Sequence, residues 1–249
     1  MNGLAKNRDM KSIRPSMKKN RDLILHSIMC SIGGFMGGYA VLFRGNLGSA
    51  QTINMIDIVL DIVGNNKTEL LIRSIGFFLY ILGMELVVLL SKKTKINLQR
   101  YSIFINMAGF LVLTIIPQQV NKVVGILPIF FMLSTQWSVF HGVRGYNSST
   151  VFSTNNLRQM LLALNEYIIS KDKKQRNTAL YYINTLFWFH INIVVSYYAV
   201  KFFGIYASLF GFIYAVPALV ITFIKDETVP VTSSFDYVKR KYYVKHSNV

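Results

Sequence analysis

RGNLGSAQTINMID (residues 44–57) follows directly on an apolar stretch long enough to cross a membrane. An arginine, two glycines and a run of short polar side chains interrupt that stretch. A related segment, RGYNSSTVFSTNNLRQ, returns at 144–159. How these two breaks are read decides the fold, because each divides a run of membrane-spanning segments.

The chain has 249 residues, 52% hydrophobic and only 15% charged, where a soluble domain carries about 25% charged residues. The remaining charge is one-sided, with 27 Lys and Arg against 11 Asp and Glu. Nucleic-acid binding wants such an excess spread over a folded soluble face. Here the basic residues stand in blocks between apolar segments, the pattern of the positive-inside rule, so nucleic acid is not an expected partner. Cys30 is the only cysteine. It permits neither an intrachain disulfide nor a cysteine-based metal site, and it reads as a small core residue.

A helix crossing about 30 Å of hydrocarbon needs about 20 residues. Six stretches qualify: 23–43, 69–90, 101–117, 123–143, 178–200 and 203–224. They divide the chain into a basic tail (1–22), a three-span half (23–117), a second three-span half (123–225) and a second basic tail (226–249). Six crossings put 22 of the 27 Lys and Arg residues on one side and five, Arg44, Lys67, Arg73, Lys122 and Lys201, on the other. That asymmetry places both termini in the cytoplasm, with the basic tails against anionic lipids of the cytoplasmic leaflet.

Each break is followed by a short amphipathic segment. In TINMIDIVLDIV (52–63), Asn54, Asp57 and Asp61 share one face and Met55, Ile58, Val59 and Ile62 another. In TNNLRQMLLALNEYII (154–169), Asn156, Gln159 and Glu166 are polar and Leu157, Met160, Leu161 and Leu164 apolar. Either helix could lie on the membrane surface or fold inward as half of a broken helix. Aligning Thr52 with Thr154 and Asn54 with Asn156 brings Arg44-Gly45 near Arg144-Gly145. Each copy then reads span, polar break, short helix, span, span. Three spans is an odd number, so the second copy enters from the opposite face, as in the inverted repeats of secondary transporters.

GGFMGGYAVLFRGNLGSAQTIN (33–54) resembles the signature of the YoaK-like bacterial membrane proteins, approximately GGF-x-D-A-Y-x-x-x-x-RG followed by AQTGN. Gln136, Phe140 and YNSSTVFSTNNLR (146–158) are similar to that family's second motif. The resemblance implies six spans in a bacterial cytoplasmic membrane and no established activity. It also marks departures. Gly37 stands where the family pattern has an intramembrane Asp, and Ile53 and Asn155 stand where its TGN turns have Gly. A β-branched Ile53 suits a φ > 0 turn poorly, so a changed first turn is expected.

Glu85, inside FFLYILGMELVVLLS, is the sharpest site candidate. A carboxylate at that depth must be protonated, paired or facing a wet cavity, and Arg144 is the expected partner in a static pair. Arg44 and Arg144 close the breaks, either binding an anion or lipid phosphate or anchoring helix ends. Asp57 and Asp61 read as a polar face able to pair with Arg44. His26, His141, His190 and Asn192 lack metal-ligand spacing and read as interhelical hydrogen-bonding groups. Gly33, Gly34, Gly37 and Gly38 form a small-residue packing face. There is no P-loop, HExxH, GxSxG or Rossmann pattern, so neither an enzyme nor a cofactor or metal is expected. The expectation is an all-α membrane protein of six transmembrane helices in an inverted 3+3 repeat. It acts as a transporter or permease-like protein for an unknown small molecule, on a path lined by Glu85, Arg44, Arg144, Gln51, Thr52, Asn54, Gln136, Thr154 and Asn156. The competing expectation is a non-transporting accessory protein that binds a lipid or a protein partner. Six spans enclose little cavity, which adds a homodimer to the expected partners.

Overall fold

A computed structural model describes residues 3–224, with side chains from Asn20 onward. The expected C-terminal basic tail (226–249) lies outside the described residues. Among these, every element is helical: α1 (Gly3–Arg44), α2 (Gln51–Val63), α3 (Lys67–Lys93), α4 (Leu98–Ile115), α5 (Leu127–Val139), α6 (Thr154–Ser170), α7 (Lys173–Phe203) and α8 (Gly211–Phe223), with 3-10 segments leading into α5 and α8. Asn20–Arg44, Lys67–Lys93, Leu98–Ile115 and the 51-residue stretch Lys173–Phe223 are long and apolar enough to cross a membrane, and Val124–Val139 is a shorter apolar helix. This is an all-helical protein of membrane type.

The ends of these helices follow local chemistry. Asn97 accepts a hydrogen bond from the Arg100 N–H and Asp172 one from Lys174, capping α4 and α7. Pro128 opens α5, where its missing N–H costs nothing. Gly204 combines φ +58° with ψ −132°, a pairing open to glycine, and reverses the chain within Lys173–Phe223. Before the reversal α7 runs alongside α1 in the same direction, with Thr185 at His26, Phe189 at Gly34 and Ser196 at Gly38. After it α8 runs back, from Ile205 beside Tyr39 to Ile224, whose carbonyl accepts from Arg21 at 2.8 Å. Arg100 at the start of α4 donates to the Thr222 carbonyl at 2.9 Å. Arg21, Arg100 and the end of α8 therefore share one end of the bundle, here called the basic end.

The core is built around α1. Its apolar window is 83% buried, against 22% for α3, so α1 is a central post and α3 a peripheral one. α1 packs most extensively on α7 and also on α8; α3 packs on α5 and α2; α6 packs on α7; and α4 packs on α5 and α8. The glycines of GGFMGG explain the close approach. A Cβ on Gly34 would overlap the Phe189 carbonyl, and one on Gly38 would sit 2.9 Å from Ser196 Cβ. Those two glycines serve α7. Gly33 and Gly37, on the adjoining face, serve the breaks. A Cβ on Gly33 would overlap the Thr150 carbonyl, whereas one on Gly37 would meet only side-chain tips, Leu47 Cδ1 at 3.3 Å and Phe189 Cζ at 4.0 Å.

Both breaks therefore turn inward and do not lie on the surface. After Arg44 the first dips to bring Leu47 against Gly37, about 10 Å back along α1. α2 then returns beside the first turns of α3, where Asp57 and Asp61 (2.9 Å) pair with Arg73. The expected pairing of those carboxylates with Arg44 is corrected by this contact. Arg73 stands directly across the α2–α3 turn, and Arg44 is engaged elsewhere. The second break enters from the basic end and reaches Gly33 with Thr150 and Val151. Ile53 and Asn155 lie inside the first turns of α2 and α6, and the positive φ angles fall instead at Gly45, Gly142, Arg144 and Gly145. The first turn thus holds no positive φ at Ile53, and a helical position accepts a β-branched side chain at small cost.

Replacing Gly33 or Gly34 by Ala should force apart packed backbone and cost about 1–3 kcal/mol or more. Gly37→Ala should lose less than about 1 kcal/mol, because the tip of a flexible leucine can move. Thermal unfolding of the purified variants in detergent checks the order; equal loss at all three positions would contradict the packing described.

Candidate functional site

The two breaks and the helices they touch form the polar interior. At the second break, Gln136 on α5 is completely buried. Its Nε2 donates to the Met29 carbonyl at 2.8 Å and to Thr150 Oγ1 at 3.0 Å, while its Oε1 accepts from Asn106 Nδ2 at 2.8 Å. One amide thereby joins α1, α4, α5 and the break. Toward the basic end, His26 Nε2 lies 3.2 Å from Thr185 Oγ1, 3.3 Å from Ser148 Oγ, 3.3 Å from Tyr181 Oη and 3.6 Å from Cys30 Sγ. Ser148 and Tyr181 are themselves 2.6 Å apart, and the Val143 N–H donates to the same tyrosine oxygen. The Tyr146 ring stacks on Tyr181 at 4.4 Å. His26 thus holds the second break to α1 and α7 as an interhelical hydrogen-bonding group.

Asn156 closes this break. Its Nδ2 donates to the Phe152 carbonyl at 2.9 Å and the Ser149 carbonyl at 2.7 Å, and its Oδ1 accepts from the Ser149 N–H. Ser149 Oγ accepts in turn from Val151 and Phe152. Asn54 performs the matching task in the first break, donating to Ala50 O at 3.2 Å and accepting from Asn46 Nδ2 at 3.2 Å. The first break is less complete. Asn46 Oδ1, Ser49 Oγ and Gln51 Oε1 are buried without a hydrogen-bond partner, although Gln51 Nε2 donates to Gly48 O.

Arg44 is 3% exposed. Its two terminal nitrogens donate to the carbonyls of Pro117 (2.9 Å), Gln118 (2.8 Å) and Val120 (3.4 Å), and it packs against Gly125. A guanidinium here caps the loose carbonyls after α4 and faces the negative end of its dipole. Arg144 lies at the opposite end, in a left-handed conformation, and donates to Asn20 Oδ1 at 3.0 Å.

The structure therefore brings Gln136, Asn156, Asn54 and Gln51 into the buried breaks, and places Thr52 and Thr154 on exposed first turns of α2 and α6. Glu85 does not join them. It is exposed on the outer face of α3, and Arg144 binds Asn20, so the expected Glu85–Arg144 pair is corrected. The helix phase explains this: Gly83 and Val87 face α5 and the core, which turns residue 85 outward. His190 is likewise exposed on α7, bonded to the Leu186 carbonyl of its own helix, and Asn192 bonds the Trp188 carbonyl of the same helix. Sequence reasoning missed Asn106, Ser148, Ser149, Thr150 and Tyr181. The serines and Thr150 stood inside the quoted motif YNSSTVFSTNNLR; Asn106, alone between apolar residues of α4, carried the same signal as Glu85.

Gln136→Leu should cost about 1–3 kcal/mol, because it strands the Asn106 donor in the core. The double variant Gln136→Leu/Asn106→Leu should recover part of that loss. Chemical or thermal unfolding of the three variants measures the coupling, and strict additivity would show that the two amides do not depend on each other.

No curated protein and no solved structure matches the chain significantly. A family model does match, over residues 25–224, which takes in both breaks and every helix from the apolar part of α1 to α8. The chain belongs to the family described as "Protein of unknown function (DUF1275)", in agreement with the YoaK-like motifs of the two breaks.

Proposed function

We propose that this membrane protein is a transporter or permease-like protein for a small polar solute, built from two inverted three-span halves. The observation that carries the reading is the meeting of the two breaks. Leu47 and Thr150 come from opposite ends of the bundle and rest on Gly37 and Gly33, one helical turn apart on α1. Irregular segments reaching mid-bundle from both faces are the kind of element that the broken helices of alternating-access transporters supply.

Packing supports the inverted halves. α1 meets α7 as α5 meets α3, α1 meets α8 as α5 meets α4, and α2 lies on α3 as α6 lies on α7. Asn54 and Asn156 each donate to the carbonyl four residues back. On this reading one half rocks against the other about the glycine face, in a bacterial cytoplasmic membrane with both termini inside, and no covalent chemistry is involved. The first break is the solute-binding one. Its three buried oxygens lack donors, so the solute that fits is a small molecule bringing N–H or O–H groups. The second break has satisfied itself.

A second reading, a non-transporting partner- or lipid-binding protein, is favoured by one observation: Glu85, the strongest ionisable candidate, faces outward and not into the path. A thermal-stability screen of protein in liposomes across metabolite classes separates the two. A solute at a hundredfold excess over its Kd should stabilise by about 2.7 kcal/mol, and Ser49→Ala with Gln51→Ala should abolish the effect while Phe104→Ala leaves it. Stabilisation by no soluble compound, together with tightly co-purifying lipid, would sink the transport reading.

A further inference from the structure

α3 presents an outward stripe of Leu71, Ile75, Phe78, Ile81, Glu85 and Leu89, residues three or four apart and all exposed. Five of the six are apolar, as a lipid-facing surface requires. Glu85 is not. It stands eight residues before Lys93, about 12 Å from the helix end, within the apolar run FFLYILGMELVVLLS. Among the described residues its carboxyl bonds to nothing. A carboxyl group in hydrocarbon with no partner is costly to keep. A stripe that keeps one there is completed by something beyond the described residues.

The geometry points to a second copy of this protein, docked through α3 about a two-fold axis along the membrane normal, with the two Glu85 carboxyl groups hydrogen-bonded to each other. Three observations favour self-association over another occupant. A carboxylic acid carries both a donor and an acceptor, so it is its own complement, and a two-fold contact sets residue 85 opposite residue 85. A lipid tail offers it no hydrogen bond at all. Besides the α7 tyrosines Tyr197 and Tyr198, the other ionisable side chain exposed in the middle of a long apolar helix, among the described residues, is His190 on α7. α7 packs on α1 while α3 packs on α5, so a Glu85–His190 contact between copies would join unlike surfaces and build a ring or an open chain, not a two-fold dimer. Interhelical polar contacts of this kind act as glue between spans that otherwise have no hydrophobic reason to associate.

Disulfide trapping of the full-length protein in native membranes tests this, because Cys30 is buried and silent. Glu85→Cys and Phe78→Cys should each give a covalent dimer under mild oxidation, and Phe104→Cys, exposed on α4, should not. Single-molecule photobleaching in vesicles then reads the dimer fraction at increasing dilution. Glu85→Leu should weaken dimerisation roughly tenfold, in the range of measured interhelical hydrogen bonds, and Glu85→Gln, whose amide also pairs with itself, should keep it within about threefold. An apolar residue on an outward face leaves the fold intact, and unchanged thermal unfolding of the monomer confirms that. A wild-type protein that stays monomeric at every dilution means that lipid covers the stripe. Trapping of Glu85→Cys with His190→Cys in preference to itself means an unlike contact. An unaltered dimer fraction in Glu85→Leu means another interface. Each of these outcomes overturns the proposal.

Discussion

Everything in this bundle depends on how closely backbone can approach α1 between residues 33 and 38. Four missing Cβ atoms, on Gly33, Gly34, Gly37 and Gly38, lie on two adjoining faces of one helix. One face admits the α7 backbone and the other admits two stretches of non-helical chain. Irregular backbone is tolerated at membrane depth only where protein covers it and its polar groups are met. The glycine faces supply the cover. Gln136, Asn156 and Ser149 meet the polar groups of the second break. Helices in hydrocarbon gain little from burying apolar surface, so close packing and interhelical hydrogen bonds hold them together. Here both converge on the same two turns of α1.

Much of this arrangement was legible in the sequence. The all-helical, membrane-type class, the two breaks and the short helices behind them followed from run length and periodicity, because a membrane leaves the chain few alternatives. The helices Gln51–Val63 and Thr154–Ser170 fall within a residue of the segments read from amphipathicity. The glycine face was legible as a packing face, though not how its four members divide between α7 and the breaks, since that depends on tertiary register. The turn chemistry was less legible. Positions 53 and 155 looked like sites for positive φ because glycine fills them in related motifs, yet both begin helices. Glycine there need not signal a turn.

Charged residues were the least legible. Arg44, Asp57 and Asp61 lay close in sequence and invited pairing, but Arg73 reaches the carboxylates across the α2–α3 turn. Arg44 is drawn instead to the loose carbonyls after α4, whose nearness is a property of the bundle and not of the chain. Glu85 was misplaced for a related reason. Its depth could be read from the flanking apolar run, but its direction depends on which face of α3 meets α5. Gly76 and Gly83, where Phe130 and Ser134 pack, were the available signal. They are seven residues apart on one side, and Glu85 lies off it.

The difference between the breaks is the last step. The two asparagines do equivalent work, so both breaks are held at the start of their short helices. Beyond that point they diverge. The second break spends its serine, its threonine and its asparagine on its own backbone and on Gln136, and His26 with Tyr181 anchors its approach. Moving any one of these side chains would unsatisfy another, which holds the segment in place. The first break has no equivalent of Gln136. It is held at its entrance by Arg44 and at its exit by Asn54, and between them three buried oxygens have no donor. In a closed bundle such atoms carry a desolvation penalty of about 1–3 kcal/mol each, which an incoming donor relieves. A pair of breaks, one satisfied and one awaiting donors, has a fixed member and a responsive member. In the proposed transport reading, that assigns the motion to the half containing α1 to α4.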